Sequence, residues 1–349
     1  MLVKLHHSSH VRIQNTFDYG IAFLKVFLAF QVICSHNFNI ESTENVYLRY
    51  FLRNRKIHVP SFFIISFYFM HKEFMALNIN KYIKRIERLI IPYLIWPIII
   101  WILNNIFNFL LDTNFSSSLT CLIYQILWGS TFIVQLWFQW DLIIITILFF
   151  LLLFLFKSNY LLIIQLIAIL AYILQYSGIN KQFYENLRTE QKECLGRFAE
   201  VIPYTVVGFT IASLGIIKKL KNYKIKTFIF SVIIYIFIEK YSVFSNVEGI
   251  AYSGIKLNIC SICVIFVFSL FPSEKITIPL IQFILKYITN FTAGIFYLHW
   301  SIIMYLKSYI SIIKNGSLSG IVFIYLICYF ISFFGMKIFG KTKLKHLFS

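Results

Sequence analysis

The sequence predicts an all-α, polytopic integral membrane protein that crosses the bilayer about ten times. Three observations carry that reading. Of 349 residues, 59% are hydrophobic and only 13% charged, with a mean hydropathy of +0.76. Soluble domains run at about 45–50% apolar and about 25% charged, so the chain departs from them in both directions. Its apolar residues are gathered into runs of the roughly 20 residues that a helix needs to cross a bilayer. A transmembrane β-barrel would instead show alternating segments of about ten residues.

The runs fall near 18–37, 57–75, 89–111, 134–156, 160–177, 200–217, 226–244, 256–272, 287–308 and 318–339, within one domain over 1–349. The second opens at His58 and carries Pro60. Pro92 is expected to kink the third and free a carbonyl. The fourth opens in QLWFQWD, whose tryptophans suit an interfacial belt. No cleavable signal peptide is expected, because the N-terminus is polar and basic and no A-x-A-like site follows the first run.

The formal net charge of +18 does not point to nucleic acid. Lys and Arg sit between apolar runs, where the positive-inside rule puts them, and not on a basic arm. With the N-terminus cytoplasmic, the inside segments hold 19 of the 32 Lys and Arg, and the sequence predicts both termini in the cytoplasm of a multi-pass cell-membrane protein. Glu41, Glu44, Asp112, Glu185, Glu190, Glu193 and Glu248 all fall on the other side. Cys260 and Cys263 form a C-x-x-C inside an apolar run with no second ligand pair, so they read as packing residues and no metal site is expected.

Ionisable groups inside a span are costly and point to function. Lys25 and His36 lie in the first run, eleven positions apart. At 100° per residue that is a residual of about 20°, so both share one helix face, about 16 Å apart along the axis. Ser61 and Ser66 lie in the aromatic run VPSFFIISFYFM. Lys84, Arg85 and Arg88 precede the third run, where guanidinium geometry suits a phosphate-bearing ligand arriving from the cytoplasm. Asp141, at the head of the fourth run, needs a partner. Tyr297 and His299 sit near the middle of the ninth.

Taken in order, these pieces resemble a known family. Lys25-x10-His36, FFIIS at 62–66, KRIERLIIPY at 84–93, QLWF at 135–138, IPYTVVGF at 202–209 and GIFYLHW at 294–300 are similar to the membrane-bound acyltransferase 3 family over nearly the whole chain. Two positions depart from its pattern. Lys25 stands where the family usually has arginine, which keeps the charge and loses the planar fork. Phe67 follows Ser66 where the family usually has glycine, and it is expected to block a close helix approach.

The resemblance implies O-acyl transfer, most often of acetyl, from cytoplasmic acetyl-CoA or another acyl-CoA to a hydroxyl of a surface or capsular polysaccharide or glycolipid. No cofactor is held permanently. Arg85 and Arg88, with Lys84 nearby, would hold the donor phosphates, with Ser66 on the donor side and Lys25 lining the path. His36 would be the general base or carry the acyl group briefly, a role that suits a histidine near neutral pKa. His299, Tyr297 and Asp141 would orient His36 or polarise the thioester. The loop residues Arg49, Arg53, Arg55 and Lys56 suit an acidic acceptor glycan, a solvated loop being the plainer reading. Two alternatives belong to other classes: an exporter of polysaccharide intermediates, and an assembly protein without chemistry. Deletion would strand glycan inside the cell in the first case, whereas loss of a transferase would leave it exported and unacylated. The acceptor sugar, the acyl chain and the oligomeric state are not written in the sequence.

Overall fold

The computed structural model describes residues 18–37, 55–111, 118–129, 136–176, 189–241, 254–270 and 279–348, and all regular structure among them is helical. The helices are α1 Tyr19–Asn37, α2 His58–Met75, α3 Ile79–Leu111, α4 Leu119–Trp128, α5 Trp137–Phe156, α6 Tyr160–Tyr176 and α7 Thr189–Ser213. They continue as α8 Ile216–Leu220, α9 Lys224–Tyr241, α10 Ile255–Ser269, α11 Pro279–Thr289, α12 Thr292–Leu306, α13 Ser311–Lys314 and α14 Leu318–Phe339. A short 3₁₀ stretch, Lys343–Leu347, follows. α1, α3, α5 and α14 are each long and apolar enough to cross a membrane alone, and α4, α6, α10 and α12 are shorter apolar helices.

Paired contacts fix the directions of these helices. At one end, Lys25 meets Phe69, Ser66 meets Arg85, Tyr82 stacks on Phe150, and Tyr160 packs on Phe209. At the other end, His36 meets His299, Asn104 meets Tyr305, Gln175 meets the Ala199 carbonyl, and Lys256 pairs with Glu239. Long helices that follow one another therefore run in opposite directions, as in a chain threaded back and forth across a bilayer. Large apolar side chains left bare on the outside, such as Phe109, Leu155, Phe230 and Ile338, are exposed to lipid in that setting, where they cost nothing.

α2 lies at the centre and packs most extensively on α7. Gly208 of α7 makes this possible, because a methyl group there would run into the Ile64 carbonyl. This corrects the expectation for Phe67. Phe67 is fully buried, edge-to-face on Phe149 at 5.0 Å, and the close approach of α2 is supplied by a glycine on its partner helix instead.

The boundaries differ from the sequence reading in four places, the first being α7, which begins at Thr189 where the run was expected near 200. α3 begins at Ile79, so the basic stretch Lys81–Arg88 is helical and continuous with the span. Pro92 and Pro97 lie inside this one helix, and beside the first of them the Leu89 carbonyl accepts from Gln139 Nε2. α4 was not expected; Ser118 caps its start by accepting from the Thr120 amide, and Gly129, at φ 77°, ends it. The stretch 287–308 is divided between α11 and α12. Cys260 and Cys263 are free, buried thiols. Arg49, Arg53, Gln135 and most of the loop acids lie outside the described residues, as does the Arg55 side chain.

Candidate functional site: a basic cluster and a histidine cluster along the first helix

α1 carries Lys25 and His36 on one stripe, and each meets a different set of neighbours. Lys25 is half-buried, with Nζ 5.8 Å from the centre of the Phe69 ring on α2. It lies within electrostatic reach of Arg85 and makes no ion pair with a carboxylate among the described residues. Arg85 is half-buried, and its Nη2 donates to Ser66 Oγ at 2.7 Å. Its Nε is buried without a hydrogen-bond partner among the described residues. Glu73 and Arg88 are the other charges that act on it. Lys25, Ser66 and Arg85, from three helices, thus form one cluster with two cations and spare donors.

Lys84 and Arg88 are exposed. Arg88 does not follow Arg85 onto Ser66; it lies near His346 of the 3₁₀ stretch, while Glu87 is ion-paired to Lys343. The three basic residues therefore serve two neighbourhoods, the α2 face and the C-terminal segment.

At the far end of α1, His36 is half-buried, and its ring centre is 5.2 Å from that of His299 and 5.0 Å from that of Trp300. His299 is fully buried. Its Nδ1 is 2.7 Å from the Phe296 carbonyl and 3.3 Å from the Ile295 carbonyl. A carbonyl only accepts, so Nδ1 carries the proton and Nε2 of the neutral ring is an acceptor. Nε2 is buried with no hydrogen-bond partner among the described residues. His58, at the start of α2 and 2% exposed, lies close enough to act electrostatically on His299. Three histidines from three helices thus gather here. No group of three or more His, Cys, Asp or Glu among the described residues is arranged to hold a metal ion.

Aromatic rings fill the space between the ends. Phe138 lies 4.5 Å from Phe63, 6.1 Å from Phe62 and 5.3 Å from Phe296, ring centre to ring centre. Tyr297 is buried and faces Gln139.

Asp141 belongs to a different neighbourhood from the one expected. It is fully buried, and its charge partner is Arg197 of α7, with Nε 3.9 Å from Oδ2. Arg197 also donates to the Trp128 carbonyl at 3.0 Å and lies 5.7 Å from the Trp137 ring. This pairing accounts for a carboxylate inside the bundle and makes Asp141 a tie between α4, α5 and α7. His58, Gln139 and Arg197 were missed in the sequence. Arg197 sits in LGRFAE, which reads as a loop until the helix is known to begin at Thr189. Its spacing to Glu200 and Tyr204, at i+3 and i+7, was the available signal.

The fold and these clusters define a multi-pass helical membrane protein with a cation-lined end and a histidine-lined end inside one bundle. The chain belongs to the acyltransferase 3 family, whose model, described as an acyltransferase domain, matches residues 18–337. No curated protein and no solved structure matches it. It is thus a membrane acyltransferase, and the matched region contains both clusters.

Proposed function

We propose that the protein is an O-acetyltransferase that moves an acetyl group from cytoplasmic acetyl-CoA to a hydroxyl of an extracytoplasmic glycan or glycolipid. The observation that carries this is the pair of clusters at the two ends of α1, cations at Lys25 and Arg85 and histidines at His36 and His299. Donor phosphates need fixed cations. A hydroxyl nucleophile needs a base near neutral pKa.

The basic end is then cytoplasmic, with both termini on that side. Arg85, braced by Ser66, and Lys25 hold the donor's anionic portion, and Arg88 and Lys84 lie at the same mouth. The acyl-bearing arm runs past the aromatic layer toward the histidines. His36 accepts the proton of the sugar hydroxyl as its oxygen attacks the thioester carbonyl. The C–S bond breaks, and the His36 imidazolium gives that proton to the CoA thiolate, leaving the ester, free CoA and a neutral His36. His299, fixed through Nδ1, offers its Nε2 lone pair to stabilise the imidazolium formed at His36. The oxyanion of the tetrahedral intermediate also needs a donor, and the Tyr297 hydroxyl is the candidate nearest in sequence.

The test is the acyl content of surface glycan in a strain carrying His36→Ala at normal membrane levels. Loss of acylation with export intact is expected. Wild-type acylation would remove the mechanism, and glycan stranded inside the cell would favour the exporter.

A further inference from the structure

Beyond α14 the chain folds back onto the bundle. The Thr342 hydroxyl caps the 3₁₀ stretch by accepting from the Leu344 amide at 3.2 Å. Leu347 and Phe348 are buried. Trp96 Nε1 donates to the Leu347 carbonyl at 3.3 Å, and the Phe348 ring stacks on Phe339 with its centre 6.0 Å away. Two glycines make the seat: a methyl group at Gly335 would come within 2.6 Å of the Phe348 ring, and one at Gly294 within 2.9 Å of its carbonyl oxygen. This apolar anchor fixes the polar half of the same segment, Lys343, Lys345 and His346, against α3.

The fixed charges are mostly of one sign. Lys345 and His346 are half-buried, and Arg88 and Glu87 are the α3 charges that act on His346. Glu87 is already ion-paired to Lys343. Burial and the charges of Lys345 and Arg88 hold His346 below its ordinary pKa, so the fold keeps like charges close at a cost. Ordinary positive-inside anchoring needs no such gathering, since exposed lysines spread along the interface serve it equally well. A convergent set of Arg, Lys and His donors on two elements is suited to a phosphate group. The segment lies beyond residue 337, where the match to the family ends.

We propose that Lys345 and His346, held against Arg88 by the buried Leu347–Phe348 anchor, bind a phosphate of the donor nucleotide and so extend the acyl-CoA site onto the C-terminal segment. This rests on the acyl-CoA reading above. An anionic lipid headgroup offers the same chemistry, and the test separates the two sources.

The probe is CoA itself, titrated into the full-length protein in phosphatidylcholine nanodiscs. Wild type should bind, and Lys345→Ala/His346→Ala should raise Kd about tenfold, the scale of a lost charge-assisted contact, with Tm unchanged. Lys345→Arg/His346→Arg should recover the affinity, which a merely structural role would not produce. Gly335→Ala, which displaces the Phe348 ring, should reproduce the loss with all charges retained. Equal affinities for wild type and the double alanine variant would overturn the inference, as would a loss of Tm accompanying the loss of affinity. Unchanged CoA affinity, together with a Tm gain from phosphatidylglycerol that only wild type shows, would assign the cluster to lipid. Absence of CoA binding by wild type would instead overturn the acyl-CoA reading beneath it.

Discussion

The two ends of α1 are polar for different reasons. At the Lys25 end, polarity is made between helices: a guanidinium on α3 reaches a hydroxyl on α2, and a second cation from α1 stands beside it with no carboxylate ion-paired to it among the described residues. At the His36 end, His299 is fixed by carbonyls of its own helix, and its neighbours are rings. Two neighbouring cations with spare donors suit an anion; a neutral imidazole tied through Nδ1 leaves a lone pair. In the proposed reaction the first arrangement would serve donor binding and the second proton transfer, so substitutions at the two ends should separate KM from kcat.

The largest effect is expected at the histidine end. His36→Ala should lower kcat by about 10²–10⁴-fold, the range of a lost general base, while CoA affinity stays near wild type. Membrane-reconstituted turnover and CoA titration on the same preparation check both halves. A matched fall in CoA affinity would mean that the two ends are not independent.

The next effect concerns the scaffold that keeps the ends apart. Gly208→Ala places a methyl group against the Ile64 carbonyl at the α2–α7 crossing. Overpacking of this kind costs about 1–3 kcal/mol, so a lower Tm in detergent is expected. Phe67→Gly should not mimic a tighter crossing; it should destabilise by removing the ring packed on Phe149. A stabilised Phe67→Gly protein would contradict the assignment of the close approach to Gly208.

At the basic end the effect is smaller and of the opposite kind. Ser66→Ala removes the partner of Arg85 Nη2 and should raise the KM for acetyl-CoA about tenfold, with kcat retained. Initial rates over a range of donor concentrations distinguish this from a change in kcat.

Much of this architecture could be read from composition and spacing, because both depend on nearby residues. Apolar runs located most of the long helices, and an eleven-residue interval put Lys25 and His36 on one face. What failed to show were the relations between helices. Phe67 looked obstructive because Gly208, 141 positions away, could not be matched to it. Asp141 was grouped with the histidines because its partner Arg197 sat in a stretch too polar to read as a helix. α4 is only ten residues long and marked mainly by its caps, Ser118 and Gly129, so a search for full spans passes over it. His58 opens an apolar run, and only the meeting of α1, α2 and α12 gives it company.

The smallest effect bears on the C-terminal segment and turns on a sign. Burial, Lys345 and Arg88 together press the His346 pKa below its ordinary 6.5, against a smaller upward pull from Glu87, so unliganded His346 is neutral at pH 7. A bound phosphate favours the protonated ring, so binding takes up a proton, and linkage makes CoA affinity fall as pH rises through the interval between the free and bound pKa values. A phosphate monoester titrates near pH 6 in the opposite sense, gaining charge as pH rises, and it does so for every variant. The difference between wild type and His346→Ala therefore isolates the imidazole. Across about pH 6–8 the wild-type advantage should shrink by a few-fold toward the alkaline side. An advantage that grows with pH would place His346 outside the phosphate's reach and leave Arg88 and Lys345 to hold it alone.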